Sequence, residues 1–274
     1  MKRLVTGFLL LVFCIACVVS FDQGNEFEEQ VATRAAVAFT ATSLANLTQT
    51  ETIAPINDST LPTVTVSAVT PSPTISLDDP KPNLGQPSYK DDLSAAANWF
   101  SSGTEWISDG TTFYADNGYL SAKSETINQG FRWYLNYRKP KDAYLEAKFK
   151  VESCSGDDQY GLVFRAPSFD QGLAYYYIVT CDGRYDIRRW DQGGSKNLLN
   201  FPSSGHINQG SNRENTLGVW FKGDSIRLYM NGSFLQEIQD NTLINDGYFG
   251  LFINARQTPG LTVKMDEIAY WLLN

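Results

Sequence analysis

Four side chains near the middle of the chain, Arg165, Tyr176, Arg188 and Trp190, have the types and spacing to form a ligand-binding patch. They belong to three runs that alternate apolar and polar residues, within Tyr160–Arg165, Ala174–Thr180 and Tyr185–Trp190. In a β-strand, alternate residues share a face. Leu162 and Phe164 then look one way, leaving Gly161, Val163 and Arg165 on the other side. Tyr185 and Ile187 look inward, leaving Asp186, Arg188 and Trp190 outward. Between them, Tyr175, Tyr177 and Val179 share one face, and Tyr176, Ile178 and Thr180 the opposite one. Matching to the hairpin partner sets Tyr176 outward, and a one-residue slip would exchange the two sets. Flat rings beside guanidinium groups suit a polyhydroxylated ligand, because rings cover apolar C–H surface and charged donors hold hydroxyls. The competing reading is ordinary core packing or a solvated face.

Other chemistries find less support. General acid–base cleavage of a glycosidic bond needs two carboxyl groups held across that bond. Asp157-Asp158 reads as a turn, and Asp266-Glu267 is an adjacent pair whose side chains point to opposite faces of a strand. The dense cluster Glu26-Phe27-Glu28-Glu29 falls in a stretch with no periodic pattern. His206 is the single histidine and lies in a polar segment, so no imidazole cluster can form within one chain. Gly193-Gly194 lacks the strand–helix setting of a phosphate-binding loop. The formal net charge is −8 and lysines and arginines are nowhere clustered. A nucleic-acid surface, which requires concentrated positive charge, is therefore excluded. Binding without catalysis is the reading these residues favour.

The elements that must position the patch read as strands throughout. Tyr144–Trp190 forms four strands joined by the turns Ser155–Asp158, Ser168–Gly172 and Asp182-Gly183, an antiparallel meander. Upstream come Glu105-Trp106, Thr112–Ala115, Gly118–Ser124 and Gln129–Tyr137, with Asp116-Asn117-Gly118 as a hairpin turn. Downstream, strands are expected at Leu198–Phe201, Asn215–Lys222, Ser225–Asn231, Phe234–Gln239, Gly247–Asn254 and Leu261–Leu272. Gly223-Asp224, Asn231-Gly232 and Asp246-Gly247 mark the turns. About a dozen short strands and no convincing helix call for an all-β sandwich of two antiparallel sheets, because one open sheet of that size would leave a face unburied.

Composition divides the chain into residues 1–21, 22–88 and 89–274. Met1–Arg3 carries two positive charges and Leu4–Phe21 none, the pattern of an export signal, and just long enough for a retained anchor. Either way the N-terminus engages a membrane and the rest of the chain lies outside the cytoplasm. Residues 22–88 are rich in Thr, Ser, Pro and Ala and cannot bury enough apolar area to offset their ordering entropy, so they read as an extended stalk. The domain is expected to begin near Tyr89. Cys154 ends one strand of the meander and Cys181 another, at the same end of the sheet. Export favours a bridge between them, the alternative being two half-buried thiols.

Two resemblances add to this. Ala16-Cys17 at the end of the apolar run resembles the lipobox of bacterial lipoproteins, with Cys14 where a leucine is usual. That likeness implies lipidation at Cys17, with a cleaved signal peptide and a retained helix as the alternatives. The residues after Tyr89 resemble the concanavalin A-like lectin/glucanase jelly rolls, in particular laminin-G-like and 3-keto-disaccharide-hydrolase-like domains. The likeness rests on Asp92-Leu93-Ser94 with Asn98-Trp99, Tyr160–Arg165, Tyr175-Tyr176-Tyr177, Asp182–Ile187, Ile226–Gly232 and Asp246–Leu251. It implies a jelly roll of two sheets, and carbohydrate as the ligand. Glycan cleavage and protein adhesion are the alternatives the same family leaves open. The retaining glucanases of this fold carry their carboxylates on one strand at alternate positions, an array missing from this sequence. Laminin-G-like domains often hold calcium with Asp, Asn and backbone oxygens, which leaves a structural calcium ion open here.

Overall fold

The computed structural model describes residues 78–274. The export segment, Cys17 and the stretch up to residue 77 lie outside the described residues.

Fifteen strands follow one another along the described chain. β1 (Tyr89–Asp91), β2 (Glu105–Ser108), β3 (Thr111–Asp116), β4 (Tyr119–Ser124) and β5 (Arg132–Asn136) come first. The long β6 (Ala143–Ser153) leads into β7 (Gln159–Ala166), β8 (Ala174–Thr180), β9 (Tyr185–Asp191) and β10 (Gly194–Asn197). The remainder are β11 (Arg213–Lys222), β12 (Ser225–Met230), β13 (Ser233–Gln239), β14 (Tyr248–Asn254) and β15 (Leu261–Leu272). All pairs are antiparallel, and they make two sheets. One runs β13-β12-β11-β6-β15-β4-β3-β2, with β1 also on β15; the other runs β10-β9-β8-β7-β14-β5. The chain is thus an all-β, two-sheet antiparallel sandwich, as the strand pattern implied.

Alternation explains the core. Leu145, Ala147, Phe149 and Val151 of β6 and Leu217, Val219 and Phe221 of β11 face Leu162 and Phe164 of β7 and Tyr175, Tyr177 and Val179 of β8. Tyr185 and Ile187 join this inner layer, on the side parity gave them. Burying aliphatic and aromatic side chains contributes roughly 1.5–3 kcal/mol each, and this layer supplies most of the sandwich's cohesion.

Each sheet also has a covered outer face. On the six-stranded sheet, Val163, Ala174, Tyr176, Ile178 and Phe252 are buried beneath Phe131, Trp133, Trp190, Phe201 and Tyr248. On the nine-stranded sheet, Tyr144, Tyr229 and Trp271 are buried with Leu84 and Phe234 against them. Residues 79–88 lie along this second face, although composition placed them in the stalk. The Asp79 amide donates to the Gly232 carbonyl (2.9 Å), the Ser88 amide to Tyr270 (2.9 Å), and Trp271 Nε1 to the Gly85 carbonyl (2.9 Å). Lys81 Nζ meets the buried Glu146 carboxylate at 2.7 Å. Packing against the sheet therefore begins before Tyr89, from Asp79 onward among the described residues.

A second difference concerns Leu198–Phe201. Asp191 and Gly194 close a hairpin instead, so the strand is Gly194–Asn197. Leu198–Phe201 then leaves the sheet, with Asn200 and Phe201 in the left-handed region (φ 59° and 54°).

Cys154 and Cys181 are joined in a disulfide, with Cα atoms 5.8 Å apart. Such a bridge points to an oxidising, extracytoplasmic compartment. It closes a loop of 27 residues, which corresponds to about 3 kcal/mol of stabilisation on chain-entropy grounds. Reduction of the unfolded chain should therefore raise its titratable thiols by two. The double replacement of Cys154 and Cys181 by Ser should lower the unfolding free energy by about that amount. An unchanged thiol count would show the pairing to be wrong.

Candidate functional site

β2 and β5 are edge strands, each with one side unpaired. They flank a cleft of about 790 Å³, within the ordinary range for small-molecule sites. The 3₁₀ turn Ala96–Trp99 and the loop at Phe169-Asp170 complete its wall.

Local sequence explains how each group arrives there. β2 and β3 are joined by Asp109-Gly110, both with positive φ (42° and 74°), the two-residue turn that matches the twist of a hairpin. That turn sets Asp109 at the mouth and Trp106 along the wall. In β5, Trp133 and Leu135 lie on the outer face of the sheet, while Tyr134 turns inward. The Tyr134 ring meets Phe100, Phe113 and Trp106 with centroids at 4.8, 5.6 and 5.8 Å. Its hydroxyl donates to the Trp99 carbonyl at 3.1 Å, and burial pushes that phenol's pKa up. Trp99 is itself held, its Nε1 donating to Asp91 Oδ2 at 2.9 Å. Trp133 Nε1 donates to the Phe169 carbonyl (3.0 Å). Gly172, at φ +69°, lets that indole approach, since a Cβ there would sit 2.8 Å from Trp133 Cη2.

The result is a set of accessible rings, of which Trp106 and Phe169 are held by ring contacts. Tyr137 is 67% exposed, Phe169 48% and Trp106 43%. Phe169 packs tilted against Tyr248, with ring centroids 4.0 Å apart and planes at 36°, so its own position is supported. Polar groups stand among the rings. Arg132 Nη2 donates to Asp109 Oδ2 at 3.1 Å and Nη1 to the Phe131 carbonyl at 2.9 Å. Asn98, Ser101, Ser108 and Asp170 also line the cleft. Rigid ring faces beside convergent acceptors and donors can hold a flat, hydroxylated molecule.

The patch expected from strand parity is placed differently. Tyr176, Arg188 and Trp190 do share the outer face of the six-stranded sheet, but as parts of its second apolar layer. Tyr176 is fully buried, edge-on to Phe131 and Phe252, with its hydroxyl donating to the Gly172 carbonyl at 2.6 Å. Arg188 lies 4.6 Å over the Phe131 ring and donates through Nε to Asn197 Oδ1 at 2.8 Å. Trp190 is half-buried against the same cluster. Beside them Asp186 is buried, its carboxyl pKa raised by burial, with the Leu199 amide donating to Oδ1 at 2.9 Å.

Arg165 departs from the parity reading. It has φ +53° at the point where the β7–β14 register shifts, a bulge that turns its side chain off the outer face. The guanidinium is wholly buried at one end of the sandwich, 5.0 Å over Phe221. It donates to the carbonyls of Gly223 (2.8 Å), Leu243 (3.2 Å) and Lys141 (3.4 Å), and to Asp142 Oδ1 (3.3 Å).

Among the described residues no three His, Cys, Asp or Glu side chains converge as a metal site. His206 is exposed, and its carbonyl accepts from Asn231 Nδ2 (2.7 Å). Asp157 pairs with Arg184 and Arg256, whereas Asp158 is buried beneath a backbone turn.

Compared by sequence, the chain matches no protein-family model and no curated protein. Compared by structure, it is similar to the carbohydrate binding module CBM66 from Bacillus subtilis, at 14% identity and a TM-score of 0.40. That match covers 66% of this chain and 96% of the module. It is also similar to the catalytic domain of an endo-1,3-beta-glucanase (laminarinase) from Thermotoga petrophila, at 10% identity and a TM-score of 0.44, covering 68% and 96%. A GH16 protein of a mixed linkage glucan locus in Bacteroides ovatus gives 10% identity and a TM-score of 0.47, covering 66% and 99%. These are likenesses of fold, and the glycan chemistry of those proteins is theirs.

Proposed function

We propose that the cleft between β2 and β5 binds carbohydrate, and that the domain is a glycan-binding module without catalytic activity. The observation that carries this is the convergence of three exposed rings, Trp106 and Phe169 braced by neighbouring rings and Tyr137 open to solvent, around a volume of about 790 Å³ that Asp109 and Arg132 make polar at its mouth. Exposed rings held rigidly lose little conformational entropy when a pyranose covers them, while the polar groups select hydroxyl geometry. The disulfide and the apolar N-terminal run support a module outside the cytoplasm, held there through its N-terminus. An adhesion reading has one observation in its favour: β2 is an exposed edge strand, onto which a partner strand could add.

The test is a glycan screen of the full chain beside Trp106→Ala and Tyr137→Ala. Each replacement should weaken binding by about 1–3 kcal/mol, roughly 5- to 150-fold. Tyr137→Ala should shift the denaturant midpoint by no more than about 0.5 kcal/mol in stability, since the ring stands mainly in solvent. Glycan binding that both variants leave intact would place the site elsewhere. Absence of any glycan ligand, with a β-strand peptide captured instead, would favour adhesion.

A further inference from the structure

We infer that the cleft accepts uncharged, hydroxyl-rich glycans and turns away those bearing uronate, sialate or sulfate groups; this rests on the glycan reading above. The charged groups lining the cleft are Asp109, Arg132 and Asp170. One guanidinium against two carboxylates leaves a net negative charge. The single cation is already partnered: Arg132 Nη2 pairs with Asp109 and Nη1 donates to the Phe131 carbonyl, so a ligand anion would have to compete with a carboxylate that already offsets its charge. Asp170 has no ion-pair partner among the described residues and stands on the loop beside the exposed Phe169 ring.

The hydrogen-bonding character of the wall agrees. Ionised carboxylates only accept, and sugar hydroxyls supply the donors they need. An anionic sugar would bring acceptors toward acceptors, at distances where like charges repel even in water. The two cations that follow Tyr137 in the chain are turned to ring faces. Arg138 lies 4.4 Å over Tyr89 and 5.3 Å over Tyr137, and Lys139 lies 4.1 Å over Tyr248. The formal net charge of −8 on the whole chain adds long-range repulsion of polyanions. Selectivity of this kind comes as much from an unfavourable contact with the wrong ligand as from a good one with the right ligand.

The experiment titrates the full chain with uncharged hexasaccharides (xylo-, cello-, laminari- and manno-oligosaccharides) and with anionic ones (oligogalacturonate, oligomannuronate), each at low and high salt. At least one uncharged series should bind with an affinity that salt changes by less than about twofold. Anionic chains should bind at least about tenfold more weakly, and Asp170→Asn should narrow that gap severalfold. An anionic series that binds best and weakens with salt would overturn the inference. If Trp106→Ala abolished that binding as well, the cleft would remain the site and only its selectivity would be misjudged. If no saccharide of either kind bound, or none responded to Trp106→Ala, the glycan reading itself would fail.

Discussion

Replacing Asp158 by Ala should destabilise the domain by about 3–5 kcal/mol, although the residue touches no part of the cleft. Its side chain is fully buried, and one carboxylate oxygen is shared by three consecutive amides. Oδ1 accepts from Arg256 (2.8 Å), Gln257 (2.7 Å) and Thr258 (3.1 Å), while Oδ2 accepts from the Ser155 amide (3.0 Å). Removing it strands four N–H groups and frees the link between the β6–β7 and β14–β15 connections. Asp158→Asn keeps the shape but offers one acceptor oxygen in place of two, so it should cost less than Ala. The charge adds a pH dependence. Burial alone would raise the carboxyl pKa, but the hydrogen bonds from residues 258, 257, 155 and 256 outweigh it and hold the folded value below the ordinary one. A depressed folded pKa contributes stability that is present above the unfolded value, near 3.9, and is lost as pH falls through the folded value. The wild type should therefore lose stability below about pH 4 more steeply than Asp158→Asn. Parallel acid slopes for the two proteins would show that folding leaves the Asp158 pKa unshifted, and a shallower slope for the wild type that the carboxyl is held neutral in the fold.

The second large effect is expected at Arg165. Arg165→Ala should lower stability by about 2–4 kcal/mol while leaving glycan affinity of the folded fraction unchanged. The guanidinium holds together three stretches distant in sequence, through the carbonyls of Lys141, Gly223 and Leu243 and the carboxylate of Asp142. Its planar fork serves acceptors set around two separate nitrogens, a span that the single nitrogen of an ammonium group cannot cover, so Arg165→Lys should recover only part of the loss. Chemical denaturation gives the first quantity and titration with a bound glycan the second. A selective loss of affinity without loss of stability would return Arg165 to the ligand face and contradict the bulge.

Much of the sandwich was legible because strands advertise themselves by alternation. Leu162 with Phe164, and Tyr185 with Ile187, point to the inter-sheet core as their spacing required. The Cys154–Cys181 bridge was favoured by the export signal and by two cysteines at the same end of the meander, and the two are joined. The failures have physical causes that alternation cannot carry. A single left-handed residue at Arg165 shifts the register and sends that side chain off its expected face. Residues 79–88 look like linker by composition, yet backbone hydrogen bonds and one ion pair fasten them to a sheet. Tyr176 does point outward, but loops around Phe131 and Phe201 make that face a second core.

The cleft was hidden for a different reason. Trp106, Trp133 and Phe169 come from segments far apart in the chain, brought together only because β2 and β5 both lie at the edges of their sheets. One signal was available: Asp109-Gly110 between two strand-like runs is a hairpin turn, and it fixes where Trp106 and Asp109 stand.

The central claim is that ligand covers this cleft and not the outer face that carries Trp190. Hydroxyl-radical footprinting of the full chain, with and without a saturating glycan found in the screen, addresses it residue by residue. Trp106, Tyr137 and Phe169, the rings now open to solvent, should lose much of their oxidation when the ligand is present, while Trp190 should be unaffected. Protection confined to Trp190 and its neighbours, with the three cleft rings oxidised as before, would contradict the account.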